Sequence, residues 1–293
     1  MISRDSDMSL SLDCQPKQRN HQVMPLSNNR VDTFGKLHEI SLPVTGICGH
    51  QKLVSVRLAD TDDQRSSACM LINKMYSWRG YGDDHKVPVR STHSTFTASV
   101  EDDVIGTLTL GVDSPAGLAA DGIFKEEIDQ FRQVPNARVC ELTKLAFNST
   151  MPSKPMLAAL FHIVFIYGQR RHNCTDLFIE VNPRHRRFYE AMLGFRCVGA
   201  VKTNPSVDAP AQLMWLKIAD IRTQIDEHAG QGDAASVRSL YPFFFSRREE
   251  NGIYSRLEDT QFGAAAQAGE GVHTGSALRD LTLVLPGESE IRQ

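Results

Sequence analysis

The 293-residue sequence holds no Cys-x-x-Cys pair, no apolar run of membrane-spanning length and no large excess of either charge. Each absence closes a class of function. The cysteines (Cys14, Cys48, Cys69, Cys140, Cys174, Cys197) stand singly, so neither a disulfide framework nor a zinc site is spelled out, and no metal is expected. Free thiols in a reducing compartment are the expectation. The longest apolar run, residues 156–168, is broken by His162 and falls short of the roughly 20 residues that span a bilayer. The opening MISRDSDMSLSLDCQPKQ lacks the basic-then-apolar order of a secretory signal, so a cytoplasmic chain without an integral membrane segment is expected. With 32 Lys and Arg against 35 Asp and Glu, the net charge of −3 argues against nucleic acid as a partner. Any basic patch must be local.

What is present is the composition of an ordinary globular protein, 41% hydrophobic and 23% charged, with enough chain for one sizeable domain with appendages or for two small ones. Residues 1–50 are polar and aperiodic and read as a flexible leader, with a short strand near residues 38–42. The segment 51–220 carries the periodic patterns. KLVSVRLA alternates as a strand, and a helix follows with Asp60 as its N-cap and Ala68, Leu71, Ile72 and Met75 at helical spacing. HSTFTASV and VIGTLTLGVD read as strands, and DGIFKEEIDQFRQVP as an amphipathic helix ended by Pro135. ARVCELTKLAF reads as a strand, and an apolar helix spans residues 156–172. Strand TDLFIEVN, helix PRHRRFYEAML and strands FRCVGAVKT and AQLMWLKIA complete the order β-α-β-β-α-β-α-β-α-β-β. The expected architecture is α/β, a central sheet with helices on both faces. Residues 221–293 read as a largely irregular extension with short helices, an aromatic knot SLYPFFFSR and a short apolar LRDLTLVLP.

One stretch stands out, VNPRHRRFYEAMLGF at residues 181–195, with four basic residues ahead of an aromatic pair. A strand, a long helix, a strand and then N-P-x-x-x-x-F-Y-E-x-x-L-G-F resembles the acyl-transfer half of the GNAT fold. Glu141-Leu-Thr-Lys144-Leu-Ala resembles the E-[IL]-x-[RK]-[LF]-A strand of acyl-homoserine-lactone synthases and of long-chain N-acyl amino acid synthases. The second group is the nearer, and the resemblance covers roughly residues 53–218. It implies a mixed, mostly antiparallel sheet and acyl transfer from a thioester to an amine. The donor implied is a long-chain acyl group on the phosphopantetheine of acyl carrier protein, the acceptor an amino acid, and no other cofactor is implied.

The residues can be matched to that chemistry. An ammonium must lose a proton before attacking a thioester, and Glu141 is the carboxylate embedded in the strand; its alternative is a salt bridge with Lys144 or Arg138. Strict alternation puts Glu141 and Lys144 on opposite faces, so a shared site requires a bulge between them. Lys144 then binds the acceptor carboxylate or the donor phosphate, or else faces solvent. Tyr189 is the candidate acid for the departing thiolate, or an aromatic packed under the sheet beside Phe188. Leu145, Asn182, Arg184, Arg187 and Phe188 are candidates on the donor side, and Trp78 and Arg79 in the acceptor pocket, with a core role as the alternative for Trp78. Coenzyme-A-dependent relatives cradle pyrophosphate in a glycine-rich loop, whereas NSTMPSKP has no glycine, which favours a carrier protein over coenzyme A. Lys154, Arg170, Arg171, Arg184, Arg186 and Arg187 are expected around the donor mouth. Ala158 and Ala159 either leave room for an acyl chain or permit close packing, and His162 reads as a core histidine. Two rivals stand beside this reading: a coenzyme-A-dependent N-acetyltransferase, and a non-catalytic GNAT-like domain whose SLYPFFFSRREENGIYSRLE tail docks a protein or membrane.

Overall fold

The computed structural model describes residues 36–43, 51–100, 103–148 and 153–265. The leader before residue 36, the middle of the NSTMPSKP loop and the LRDLTLVLP segment lie outside the described residues. The strands are β1 (Lys36–Pro43), β2 (Gln51–Leu58), β3 (His93–Val100), β4 (Asp103–Val112), β5 (Val139–Phe147), β6 (Asp176–Val181), β7 (Arg196–Asn204) and β8 (Ala209–Lys217). The helices are α1 (Asp62–Ser77), α2 (Asp121–Arg132), α3 (Lys154–Ile166), α4 (Arg186–Leu193), α5 (Ile218–His228) and α6 (Arg247–Ala265). From β2 to β8 the order is the one the sequence pattern dictates.

The strands form one eight-stranded sheet in the order β1-β2-β3-β4-β5-β6-β8-β7. Every neighbouring pair is antiparallel except β5 and β6. Helices α1 and α2 cover one face, where Ala68, Ile72 and Tyr76 form one apolar cluster and Phe124, Ile128 and Phe178 another. Helices α3 to α6 cover the other face over the main core. The α/β sandwich with helices on both faces is therefore as expected.

Local chemistry sets the boundaries. The N-cap of α1 is Thr61 rather than Asp60: Gln64 N donates to Thr61 Oγ1 at 3.3 Å, and Thr61 N donates back to Gln64 Oε1 at 3.2 Å. This reciprocal T-x-x-Q box satisfies two helix-end donors, which a lone Asp would not. Helix α3 starts two residues earlier than its apolar run and widens into a π-helical turn at Tyr167–Arg171. Helix α4 ends at Gly194, whose φ of 83° is the left-handed cap that glycine adopts without Cβ strain.

The largest difference lies past residue 220. In place of an irregular extension, α5 and the 19-residue α6 pack on the core face of α3. Leu240, Tyr241, Phe244 and Phe245 are buried in the main core, and His162 lies stacked against Phe244 and Phe245 at ring distances of 4.7 and 5.1 Å. His162 Nδ1 accepts the Phe245 N–H at 2.9 Å, so it is a core histidine. Arg222 of α5 donates to both Glu250 oxygens at 2.9 and 2.8 Å and to Gln169 Oε1 at 2.9 Å, tying α5, α6 and the end of α3 together. The aromatic knot anchors the tail to its own core rather than offering it to a partner.

Candidate active site

Strands β5 and β6 pair only from Val139↔Asp176 to Leu142↔Ile179, and then part. Beyond Ile179, β6 stays paired with β8 through Glu180 and Val181 while β5 stays with β4. The parting opens a gap in the sheet at the C-terminal ends of the two strands.

On the β4 side, Thr107 pairs with Ala146 and Thr109 with Thr143, so three steps of β5 span two of β4. The extra residue is Lys144, in left-handed backbone at φ 55°, and Thr107 Oγ1 donates to its carbonyl at 2.8 Å. The bulge shows in the packing: Leu142 and Leu145, three apart, both enter the main core under α3. Thr143 and Glu141 keep the opposite face with Val139, where α1 and α2 lie. The Lys144 charge acts on His85, of the loop after α1, so Lys144 joins Glu141 on that face. Lys144 is 1% exposed and thus no surface lysine.

Glu141 is 2% exposed, and its Oε1 and Oε2 accept N–H bonds from Ala119 (2.6 Å) and Ala120 (3.1 Å) at the start of α2. A network behind it holds that start in place. Arg132 donates to Asp113, Asp121 and Asp129 at 2.7–2.9 Å, and these bonds raise its guanidinium above the usual range.

A basic, aromatic cluster closes the mouth. From the turn after β6, Arg184 Nη2 donates to Tyr81 Oη at 3.4 Å and its Nε to His185 Nε2 at 3.0 Å. Burial and the Arg184 charge lower the Arg79 guanidinium. Burial, with Arg184 and Arg79 adding to it, pushes His185 down to about 4, so at neutral pH it is uncharged. His85, 5% exposed, faces the Tyr81 and Gly82 carbonyls through Nε2 at 3.0 and 3.1 Å, which fixes the proton there and leaves Nδ1 as a bare acceptor. That Nδ1 is buried without a hydrogen-bond partner. Burial and the Lys144 charge lower His85.

Tyr189 supplies the second orphan. Its ring is wholly buried, edge-on to Phe188 and Phe195 at 5.3 and 6.0 Å, and its hydroxyl has no hydrogen-bond partner. Burial, with Tyr76 adding to it, raises that hydroxyl well above its usual value, so it keeps its proton. Tyr189 belongs to the core under α3 and Tyr76 to the cluster under α1. A buried hydroxyl or imidazole nitrogen without a partner costs about 1–3 kcal/mol. Each of the two keeps an unused hydrogen-bonding position.

The remaining candidates fall elsewhere. Trp78 is 71% exposed with the Arg79 guanidinium 5.2 Å from its ring, so it is no core anchor. Leu145 is fully buried in the main core, and Phe188 is half-buried against it. Asn182 Oδ1 accepts the Arg184 N–H at 3.2 Å and so caps the turn that presents Arg184. Arg187 is exposed, and Arg186 is paired with Glu190 at 2.7 Å. The six expected mouth cations do not gather. Arg170 and Arg171 lie at the far end of the α3 helical run from Lys154, and Arg170 is held by Asn251 and the Tyr254 ring. Ala158 and Ala159 are packed solid. The space under α3 lies further along, a cavity of about 20 Å³ bounded by Phe161, Phe165, Gly168, Cys140, Leu142 and Leu177. Among the described residues no three metal-ligating side chains converge.

Sequence patterning missed His85, Tyr76, Tyr81 and Glu180, whose Oε1 accepts from Asn204 Nδ2 at 2.6 Å on the face where α1 and α2 lie. A loop histidine carries no periodic signal, and only the strand parting gives Glu180 its setting.

The structure of FeeM, an N-acyl amino acid synthase from uncultured soil microbes, is 26% identical and matches 59% of this chain and 95% of its own with a TM-score of 0.54. The AHL synthase LasI is 12% identical over 57% of this chain and 91% of its own, TM-score 0.45. Arabidopsis thaliana NAA60 in complex with a bisubstrate analogue is 16% identical over 56% and 97%, TM-score 0.42. No curated protein sequence matches. The family model for the N-acyl amino acid synthase FeeM matches residues 67–217, half of the chain and the whole of the parted-strand site, so this protein is an N-acyltransferase of GNAT type and belongs to the FeeM family of N-acyl amino acid synthases.

Proposed function

We propose that this enzyme transfers a long-chain acyl group from acyl carrier protein to the amine of a free amino acid. The observation that carries the acceptor side is the Arg79–Arg184 juxtaposition. The Arg184 charge adds to burial in lowering the Arg79 guanidinium, and the two hydrogen bonds of the Arg184 side chain go to neutral groups, Tyr81 and His185, so a carboxylate is favoured beside them. A carboxylate bound between them leaves the amine of the same molecule to enter the gap, where His85 Nδ1 accepts one N–H. Glu141 takes the proton, directly or through water, from the face it shares with Lys144.

The amine lone pair then forms the C–N bond and the C–S bond breaks. Tyr189, buried and protonated, gives its proton to the departing thiolate. The donor side is supported by the glycine-free loop before α3 and by exposed Arg187, with Lys154 at the helix start. The acyl chain is directed towards the apolar space by Cys140 and Leu142, at the base of the gap.

The test is direct. The purified chain is given a long-chain acyl group on carrier protein, or the same group on coenzyme A, with a panel of amino acids, and N-acyl products are read by mass spectrometry. Carrier-borne donor giving N-acyl amino acid, abolished by Glu141→Gln, is the expected result. Turnover of the coenzyme A thioester alone would replace the carrier protein by coenzyme A. Acylation only of amines lacking a carboxylate would remove the amino acid acceptor.

A further inference from the structure

At neutral pH a thioester and an ammonium give an amide, a thiol and one free proton. The amide nitrogen keeps one hydrogen, and the thiolate gains one from Tyr189, which must be reprotonated from the ammonium. One proton therefore has to reach solvent in each turnover. Glu141 cannot deliver it unaided: it is 2% exposed, and a proton resting on either oxygen competes with the N–H of Ala119 or Ala120.

The sheet shows where the proton can go. Register places His93 of β3, Gly111 of β4 and Glu141 of β5 side by side. Residue 111 is a glycine, and the two side chains close over it: a Cβ there would stand 3.2 Å from Glu141 Oε1 and 3.4 Å from His93 Nε2. On its other edge, His93 Nδ1 meets Thr92 Oγ1 at 3.0 Å. His93 is half-buried and lines an opening of about 280 Å³, with Arg65, Arg90, Thr95 and Tyr167 around it. That opening lies at the end of the sheet away from the parted strands, because β2 leaves it at Leu58 and β3 enters it at His93.

We propose that His93 is the proton outlet of the enzyme, carrying the proton that Glu141 removes from the acceptor amine through the slot over Gly111 to the solvent-filled opening. The inference rests on Glu141 as the base of the proposed reaction. His93 touches no substrate and acts through Glu141. The charged and titratable groups facing it are Glu141 from β5, Arg65 from α1, Arg90 from the loop before β3 and Tyr167 from the end of α3.

The test is the pH dependence of steady-state N-acylation by His93→Ala, read as amide product with the acyl thioester and amino acid of the wild-type assay. The expected result is a kcat lowered about tenfold or more at pH 7, with both KM values within twofold of wild type. The defect shrinks as pH rises and the amine arrives unprotonated, and added imidazole, which the opening can admit, restores the rate. Gly111→Ala, which fills the slot, reproduces the defect without responding to imidazole. Unchanged kcat in His93→Ala overturns the proposal, and so does a defect that neither pH nor imidazole alters. Should His93→Ala not fold, His93→Gln keeps a partner for Thr92 and is read by the pH profile alone. Loss of product in Glu141→Gln with a normal pH profile in His93→Ala removes the outlet and leaves the base. A Glu141→Gln enzyme of wild-type rate instead removes the reading beneath both.

Discussion

Thr107 Oγ1 donates to the Lys144 carbonyl at 2.8 Å, and Lys144 is the residue of β5 that leaves the extended backbone. This bond holds the bulge on which the site depends. Without the bulge, Lys144 would turn to the α3 face and Leu145 to the α1 face, inverting the pattern beyond it.

Thr107→Val keeps the shape and deletes the donor. The expected cost is about 1–3 kcal/mol, since the buried carbonyl is left without that hydrogen bond. Activity should fall further than stability accounts for, because the bulge positions Lys144. Denaturant unfolding and kcat measured on one preparation check both; a variant neutral in each would deny the bond its role.

Tyr189→Phe should separate activity from stability in the other direction. Removing a buried hydroxyl that has no partner relieves a penalty of about 1–3 kcal/mol, so thermal unfolding should be unchanged or higher. The thiolate loses its acid, and kcat should fall by roughly 10²-fold or more. A poor, leaving-group-sensitive donor should show the larger loss and an activated aryl thioester the smaller. Loss of stability with unaltered kcat would return Tyr189 to a packing role.

How much of this was legible beforehand follows from the range of each interaction. Strands and helices from β2 to β8 follow from apolar periodicity, which is local, and so does the strand that carries Glu141. The need for a bulge could be read from the three-residue spacing of Glu141 and Lys144. Its means could not, because Thr107 and Lys144 are 37 residues apart. Helix α6 escaped because its apolar residues are sparse, Ile253 and Leu257, and its docking depends on Arg222 meeting Glu250. Sequence proximity to two helix ends suggests one cluster of arginines, but the helical run that starts at Lys154 carries Arg170 and Arg171 to its far end. His93 gave no sign at all. Its place beside Glu141 exists only through Gly111 and the register of three strands.

The Arg222–Glu250 pair predicts how the tail comes loose. Burial opposes ionisation of Glu250, but His162 and Arg222 outweigh it and bring the carboxyl down to about 2. At 3.8 Å the His162 Nε2–Glu250 contact is longer than a hydrogen bond, so Arg222 carries the pairing. A lowered carboxyl stabilises the fold fully above the ordinary glutamate range near 4.3, and that contribution is lost as pH falls through about 2. Arg222→Met should cost about 3–5 kcal/mol by leaving Glu250 buried and unpaired, whereas Arg222→Met with Glu250→Leu should recover much of it. Denaturant unfolding of the wild type and the two variants at pH 7 checks this, and equal loss in the single and double variants would contradict it.

Arg184 links the acceptor to a titration that can be observed directly. Burial, Arg184 and Arg79 together hold His185 near 4. Arg184→Met removes one of those charges, so His185 should titrate at higher pH, visible as a shifted imidazole resonance in an NMR titration. On the proposed reading the same change deletes a charge-assisted hydrogen bond to the acceptor carboxylate, worth about 1.5–3 kcal/mol, so KM for the amino acid should rise by roughly 10- to 150-fold. KM for the acyl donor should stay within a few-fold. The signs are coupled: an amino acid bound at Arg79 and Arg184 brings a negative charge to His185 and must raise its titration in the wild-type enzyme too. By linkage, the acceptor then favours protonated His185, and its carboxylate binds more tightly as pH falls towards that range. A non-reactive N-acetylated amino acid, which keeps the carboxylate and has no ammonium, isolates this effect. Its Kd should tighten between pH 7 and pH 5 in the wild type and change less in Arg184→Met; a Kd flat with pH in both would place the carboxylate elsewhere.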